Sequence, residues 1–529
     1  MRFVFVVGGV ISGVGKGIIT ASIAKILQKR GLSVAPIKID PYFNVDAGTL
    51  NPLEHGEVWV TEDGGEIDQD FGHYERFLNV NVPKKNSITS GQVYLKVIQD
   101  ERKGRYLGKT VQLIPHITDE IARRILEAAE GHDVGVVEIG GVVGDYENIP
   151  FIFAAHKLSM EHRSAFVLVV YMPKPPHIGE LKSKPAQHAI RDLRELGVTP
   201  NFVVIRAPGA LDEPRKRKLQ NVVNIPSRRL VPVPDVSPVY RVPIILEESG
   251  MGDLLAEDLG FRTQRPDWSD WLTIIESPKE PVKVHLVGKY VKVGEYVLPD
   301  AYISVIEAIR TAGWHLGLDP QVEIVDSEAL EKGKVDLSGA LGIVVPGGFG
   351  KRGVEGKIEA IREAREQGIP YLGLCFGMQL AVVEFARNVA GLRGAHTTEV
   401  DPGTPHPVID LLPRQRELIR QGKIGATMRL GAYPAVLREG TLVRRLYGRE
   451  VVYERHRHRF EVNPKYVDVL ESAGLVVSGT SPDGELVEFV ELGDHPFFVA
   501  TQAHPEFKSR FEAPHPLFLG FMRAVKGRL

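Results

Sequence analysis

The sequence holds one cysteine in 529 residues, Cys375. An intramolecular disulfide and a multi-cysteine zinc site are thereby excluded, and a reducing compartment is expected. No stretch approaches the ~18 uninterrupted apolar residues of a membrane span. The apolar start Phe3-Val4-Phe5-Val6-Val7 is too short for a signal peptide, so a cytoplasmic protein without membrane partners is expected. An excess of either charge is lacking too: 65 Lys and Arg face 67 Asp and Glu, a net charge of -2. Such a chain has no field for steering DNA or RNA, and Arg215-Lys216-Arg217-Lys218 reads as a solvated helix face, so no nucleic-acid partner is expected. Repeats at solenoid spacing and low-complexity segments are also missing.

What is present is ordinary globular material, 43% hydrophobic and 25% charged, on a chain too long for one core. Phe3 to Val7, a Gly-rich loop, a helical stretch from Lys16 to Lys29 and the apolar run Val34 to Ile39 form a strand, helix, strand unit. Its crossover implies a parallel sheet. Further strands are expected at Asp133 to Ile139, Ala165 to Tyr171 and Pro200 to Arg206, with helices at Thr118 to Glu130 and Gln187 to Leu196. Residues 265–281, with Arg265-Pro266-Asp267-Trp268 and Ser277-Pro278-Lys279-Glu280-Pro281, read as a linker. Strand-like Val282 to Val287, Gly342 to Val345 and Pro370 to Leu374 then alternate with helices at Pro299 to Ala312 and Val354 to Glu366. The expected fold class is α/β, with two α/β domains, 1–264 and 282–529.

Gly8-Gly9-Val10-Ile11-Ser12-Gly13-Val14-Gly15-Lys16-Gly17 lies between a strand and a helix, where backbone N–H groups and the helix dipole cradle phosphates. It is not a strict Walker A loop: five residues separate Gly9 from Gly15, and Gly17 stands where Ser or Thr would bind Mg²⁺. The metal then needs carboxylates from elsewhere. Candidates are Glu138, at the end of an apolar run, and Asp70, in the acidic segment from Thr61. Lys38, near the end of the second strand, is a candidate phosphate contact. The plainer alternatives are a Gly-rich turn and solvated loop charges.

Gly373-Leu374-Cys375-Phe376-Gly377, between a strand and a helix starting near Met378, is the G-x-nucleophile-x-G elbow with cysteine for serine. A helix N-terminus favours the thiolate, and neighbouring N–H groups can hold an oxyanion. In Gln502-Ala503-His504-Pro505-Glu506, residues i and i+2 of an extended chain face one way, so Glu506 can orient His504 toward the thiol. Pro346-Gly347-Gly348-Phe349-Gly350 offers a second oxyanion donor. His456 and His458, in Arg455-His456-Arg457-His458-Arg459, read as a polar strand or a carboxylate-binding patch.

These segments, together with Lys38-Ile39-Asp40-Pro41-Tyr42, His55-Gly56-Glu57-Val58, Gly72-His73-Tyr74-Glu75-Arg76-Phe77 and Glu138-Ile139-Gly140-Gly141, resemble the CTP synthase family nearly end to end. That resemblance implies a P-loop-type amidoligase (1–264) joined to a class I glutaminase (282–529). In such an enzyme ATP phosphorylates O4 of UTP, and ammonia from L-glutamine displaces the phosphate at C4. Catalytic roles fall on Lys16, Lys38, Cys375, His504 and Glu506, and Mg²⁺ on Asp70 and Glu138. ATP is implied at Gly13, Val14, Gly15, Lys16, Gly17, Ile18, Asp70, Asp235 and Val236. UTP, or CTP as feedback inhibitor, is implied at Ser12, Asp145, Tyr146, Glu147, Lys182, Ser183, Lys184, Pro185, Ala186, Gln187 and Lys218. Glutamine is implied at Gly348, Phe376, Gly377, Met378, Gln379, Glu399 and Arg459. The likeness also implies a homotetramer, GTP activation and an ammonia tunnel near Pro52, His55 and Val58.

The chain departs from the family pattern in places. The strand before Lys182 looks shortened, Ala186 replaces a hydroxyl residue, and Phe376 replaces a common leucine. Two other readings stay open: a cobyrinic- or cobyric-acid-type amidoligase, and a nucleotide-binding assembly protein without turnover.

Overall fold

The computed structural model describes residues 1–51, 55–289, 292–293, 296–297, 299–411 and 428–527. Two compact units divide the chain: Met1–Thr49 with Gln69–Ile275, and Leu50–Asp68 with Glu276–Leu529.

The first unit is built on β1 (Arg2–Gly8), β2 (Val34–Asp40), β3 (Ser87–Thr89), β4 (Val134–Ile139), β5 (Arg163–Tyr171), β6 (Phe202–Ala207) and β7 (Leu230–Pro234). They lie in the order β3-β2-β4-β1-β5-β6-β7, and every neighbouring pair is parallel. Phe3 to Val7 are buried along their whole length, as unbroken apolar strands must be when helices cover both sheet faces. The chain runs outward from β1 on one side and returns to begin again at β5 on the other. The strand order therefore reverses at β1, the place where such sheets bind ligands beyond the strand ends.

Three helices of this unit matter for the site: α1 (Lys16–Lys29), α2 (Asp70–Leu78) and α3 (Lys184–Glu195). α3 begins three residues before the expected Gln187, because Pro185 fits a helix's first turn, where its missing N–H costs nothing. β5 spans nine residues, so the segment before Lys182 that looks shortened in sequence is a full strand. The stretch read as a linker carries a helix, Ser269–Glu276, whose Trp271 is buried and donates its indole N–H to Tyr240 O at 2.7 Å. Its prolines bound that helix without preventing it.

The second unit carries β8 (Glu280–Gly288), β9 (Leu318–Asp326), β10 (Gly342–Val345), β11 (Tyr371–Leu374), β12 (Arg429–Leu437), β13 (Val451–His458), β14 (Val476–Thr480), β15 (Val487–Glu491) and β16 (Phe498–Thr501). Their order is β9-β8-β10-β11-β16-β15-β14-β12-β13. The pairs from β9 to β16 are parallel and the remainder antiparallel. Helices α4 (Val354–Gln367) and α5 (Phe376–Asn388) pack against the parallel part through Ile358, Ile361, Met378 and Val382. A hairpin of Trp59–Val60 and Glu66–Ile67 belongs to this unit as well, held by Arg455 Nε to Glu62 Oε1 (3.1 Å) and Arg457 Nε to Glu66 Oε1 (2.7 Å).

Candidate functional site

In the first unit the loop after β1 turns into α1 through Gly13 (φ 69°) and Gly15 (φ 89°), left-handed positions that favour glycine. Lys16 folds back over Gly8 and donates to Gly141 O at 2.9 Å. A Cβ on Gly17 would stand 2.1 Å from Asp70 Oδ1, so the first carboxylate of α2 occupies the space that a P-loop Ser or Thr would fill. Glycine there is the condition for Asp70 to approach.

β2 and β4 place Lys38 beside Glu138 in register. The Lys38 ammonium bonds Asp70, lies 3.0 Å from Glu138 Oε1 and stands 3.6 Å from Asp40 Oδ1. Tyr74 of α2 donates its hydroxyl to the other oxygen of Glu138. Burial, with Asp70 opposite, pushes Glu138 up, and burial raises Asp40 to about 6. Burial would raise Asp70 as well, but the Lys38 charge holds it well below the usual carboxylate range. Burial lowers Lys16 and takes His73 down to about 3, a neutral imidazole at pH 7. Among the described residues no three His, Cys, Asp or Glu side chains are arranged to hold a metal. Asp70 and Glu138, already gathered around one cation, suit a hard ion that takes its remaining ligands from water and phosphate, as Mg²⁺ does.

Reasoning from sequence missed Asp40, Tyr74 and Arg206 as parts of this site. Asp40 was within reach of it, since it lies two residues beyond Lys38 on one strand face. Arg206 of β6 has its guanidinium 2.5 Å from where a Gly15 Cβ would be and pairs with Asp235 Oδ1 at 2.6 Å, bringing Asp235 to the loop. Val14 is buried, Ile18 and Val236 are half-buried, and Ser12 is exposed. Asp145 Oδ2 accepts from Val142 N–H at 3.0 Å, while Tyr146 and Glu147 are exposed. Lys182 pairs with Glu180, and Ser183 Oγ accepts from Gln187 Nε2 at 3.1 Å. Lys184 and Pro185 open α3, and Lys218 lies exposed on the helix Glu213–Val223. Ala186 is fully buried in the hydrophobic core, where a hydroxyl would need a partner.

In the second unit Cys375 sits between β11 and α5 at φ 50°, ψ −103°, the strained turn of a nucleophile elbow. A Cβ on Gly377 would meet Val345 O at 2.0 Å and one on Gly373 the Tyr371 hydroxyl at 2.6 Å, so both flanking glycines are sterically required. α5 starts at Phe376, directly after the thiol and two residues earlier than expected. His504 Nδ1 lies 2.7 Å from Glu506 Oε1, and its Nε2 is buried with no hydrogen-bond partner among the described residues. Burial alone would lower His504, but Glu506 and then Cys375 raise it to about 10. Glu506, an imidazolium and the thiol are thus in line. Gly347 lies beside both base and nucleophile: a Cβ there would lie 2.9 Å from His504 Cε1 and 3.6 Å from Cys375 Cβ.

A cavity of about 100 Å³ opens on Cys375 and His504, walled by Gly347, Gly348 and Arg457, with Glu57 and Val58 from the hairpin segment. Glu399 Oε1 accepts from Gly350 N–H at 2.7 Å, and burial raises its carboxyl. Gln379 donates to Phe460 O (3.0 Å) and Gln502 Oε1 (3.3 Å), leaving its buried Oε1 without a partner among the described residues. Met378 is packed in the core, Phe376 is buried and Arg459 is half-buried. Gln502, two residues before His504, brings its Nε2 to 3.8 Å from Cys375 Sγ, a contact that its place in the sequence does not signal. Pro52, expected near an ammonia path, lies outside the described residues.

His456 and His458 do stand on a strand, but inside the protein. His456 Nδ1 is 3.0 Å from His458 Nε2, next to Arg429, which pairs with Glu488 (2.8 Å) and Glu461 (3.3 Å). Burial holds both histidines well below their usual range, so they are neutral.

Comparison with known proteins matches residues 2–261 to the CTP synthase N-terminus family and residues 297–524 to class I glutamine amidotransferases. The CTP synthase of Methanopyrus kandleri is 54% identical, covering 100% of this chain and 99% of its own. That of Aeropyrum pernix is 52% identical over 99% of this chain and 98% of its own. The solved glutaminase domain of Trypanosoma brucei CTPS with bound acivicin is 38% identical, covers 46% of this chain and 94% of its own, and aligns with a TM-score of 0.43. With both halves matched and half or more of the residues shared from end to end, the chain belongs to the CTP synthase family.

Proposed function

We propose that the first unit binds ATP and UTP and transfers a phosphoryl group to O4 of UTP, and that the second unit releases ammonia from glutamine to displace that phosphate and give CTP. Lys16 and Lys38 lie against the transferring phosphoryl group and offset the charge that grows on its oxygens. Asp70 and Glu138 hold Mg²⁺, which supplies charge neutralisation on the phosphates when bound. Gly13 to Ile18, Asp235 and Val236 bind ATP. Ser12, Asp145 to Glu147, Lys182 to Pro185, Gln187 and Lys218 bind UTP, or CTP as inhibitor, while Ala186, expected among them, is turned into the hydrophobic core.

In the second unit the Cys375 thiolate attacks the glutamine amide carbonyl, and the N–H groups of Gly348 and Phe376 receive the oxyanion. His504 gives its proton to the departing ammonia, then takes one from the water that hydrolyses the thioester and releases glutamate. Glu506 holds the imidazolium, while Gly377, Met378, Gln379, Glu399 and Arg459 complete the glutamine subsite.

The line Glu506, His504, Cys375 at a strained elbow carries this reading, because it is a source of ammonia on a chain whose other half has the charge pattern of phosphoryl transfer. The family likeness further supports a cytoplasmic homotetramer activated by GTP. No helix among the described residues is long and apolar enough to cross a membrane. A cobyrinic-type amidoligase or a protein without turnover is not favoured, since full-length relatives carry the CTP synthase name. Incubation of the purified chain with UTP, ATP, Mg²⁺ and amide-¹⁵N glutamine tests the reading. Labelled CTP is the expected product, and glutamate release without CTP would contradict it.

A further inference from the structure

Lys357 is a fully buried lysine that the chemistry above leaves without a role. It lies in the first turn of α4, where the helix dipole already disfavours a cation. Its Nζ donates to Pro346 O at 3.3 Å and stands 5.6 Å from the centre of the Phe376 ring. A Cβ on Gly348 would be 3.7 Å from that nitrogen, so the ammonium sits directly behind the loop that walls the Cys375 cavity.

No carboxylate among the described residues pairs with it. On the surrounding elements Glu384 is bound to Arg365, Glu355 to Arg387, Glu328 to Arg352, and Glu506 to His504. Glu399 accepts from Gly350 N–H and acts on Lys289. Lys289, at the end of β8 and 5.6 Å from the same ring, repels Lys357, and the one acid that draws charge onto Lys357 is Cys375. Burial, then Lys289, pushes Lys357 down to about 7.

An ammonium buried without a counter-ion is costly, and packing alone would be served by methionine. The cost is relieved when negative charge appears close by; Glu57 is held by Ser304 and Glu506 by His504, and the charge that develops at Cys375 is that of the thiolate and then of the tetrahedral oxyanion. We propose that Lys357 is a positioning residue of glutamine hydrolysis: its ammonium fixes the Pro346-Gly347-Gly348 loop through the Pro346 carbonyl and stabilises negative charge on Cys375. The proposal rests on Cys375 being the nucleophile.

Stability carries a second signature. Folding takes Lys357 from 10.5 down to about 7, so the unfolded chain holds more protons between those values. The cost of burying Lys357 is therefore full at and below pH 7 and is relieved as pH rises toward 10.5.

The full chain and its Lys357→Met and Lys357→Gln variants provide the test, because the single cysteine makes alkylation by iodoacetamide report on Cys375 alone. Lys357→Met should move the alkylation profile to higher pH by about one unit and lower kcat for glutamine hydrolysis about tenfold. KM should stay within about twofold, with ammonium-dependent synthesis unchanged and stability at pH 7 no lower. Lys357→Gln keeps a donor to Pro346 O without the charge, and should recover part of kcat but show the same alkylation shift. Unchanged alkylation profiles in both variants, with loss of stability, would make Lys357 a packing residue and overturn the proposal. If alkylating the parent chain spares glutamine-dependent synthesis, the nucleophile assignment fails instead, and the proposal with it.

Discussion

At the ends of β2 and β4, Lys16, Lys38, Asp40, Asp70 and Glu138 converge with ammonium and carboxylate groups already paired. At the end of β11 the thiol faces the paired His504 and Glu506, and the rest of the cavity wall is mostly uncharged, the Gly347-Gly348 stretch with Tyr302, Val305, Phe349 and Phe507, besides Glu57 and Arg457. The difference follows from the substrates. Phosphoryl transfer handles several charges at once and needs counter-charges in place. Amide hydrolysis creates one oxyanion on a neutral amide group and needs a strained nucleophile with N–H donors aimed at it. Glycines serve both sites by making room: Gly17 admits a carboxylate, and Gly347 admits the His504 ring.

Substitutions sharpen that contrast. Removing a charge from the first site should have the largest effect: Asp70→Asn or Glu138→Gln loses CTP formation with glutamine and with ammonium alike while glutamine hydrolysis survives. Ammonium-dependent synthesis at limiting Mg²⁺ checks this, and a parental rate would refute it.

Gly17→Ser restores the Walker hydroxyl but drives Cβ onto Asp70 Oδ1. A displacement of the order of 1 Å at the reacting groups costs about 100-fold, so synthesis from both nitrogen sources should fall by about that factor. Gly347→Ala meets only a His504 carbon at 2.9 Å. It should lower glutamine-dependent synthesis about tenfold, a loss of about 1.4 kcal/mol, and spare the ammonium rate. A single set of initial rates on both variants distinguishes the two sites.

The smallest effect is expected at Ala186→Ser. Because the side chain is buried in the core, KM for UTP should stay within about twofold, while stability falls by about 1 kcal/mol in a urea titration. A large gain in UTP affinity would place residue 186 at the ligand.

The parallel strands expected from sequence were readable because they are continuous apolar runs, whereas β3, β7, β9 and the antiparallel strands β12 to β15 were not, since they are short or carry polar residues, as in Val451–His458. The elbow at Cys375 and the Glu506 to His504 pair were readable because they follow from spacing along one or two elements. The prolines of residues 265–281 concealed a helix, since a breaker marks an end of an element as readily as its absence. Arg206 and Lys357 were not legible, because each acts through a neighbour brought in by the sheet or by a helix face and neither carries a local signal, and Tyr74 stood in a quoted motif without its bond to Glu138 being readable. The position of Asp70 against Gly17 was half-legible: the missing hydroxyl showed that a carboxylate was needed, and only the fold shows that glycine makes room for it.

The division of labour between the two sites is tested most directly by initial rates on one Cys375→Ala preparation, with glutamine and then with ammonium at a pH that supplies free ammonia. The account predicts that CTP formation from glutamine disappears while the rate from ammonium stays near that of the parent. Equal loss of both rates in a folded chain would contradict it.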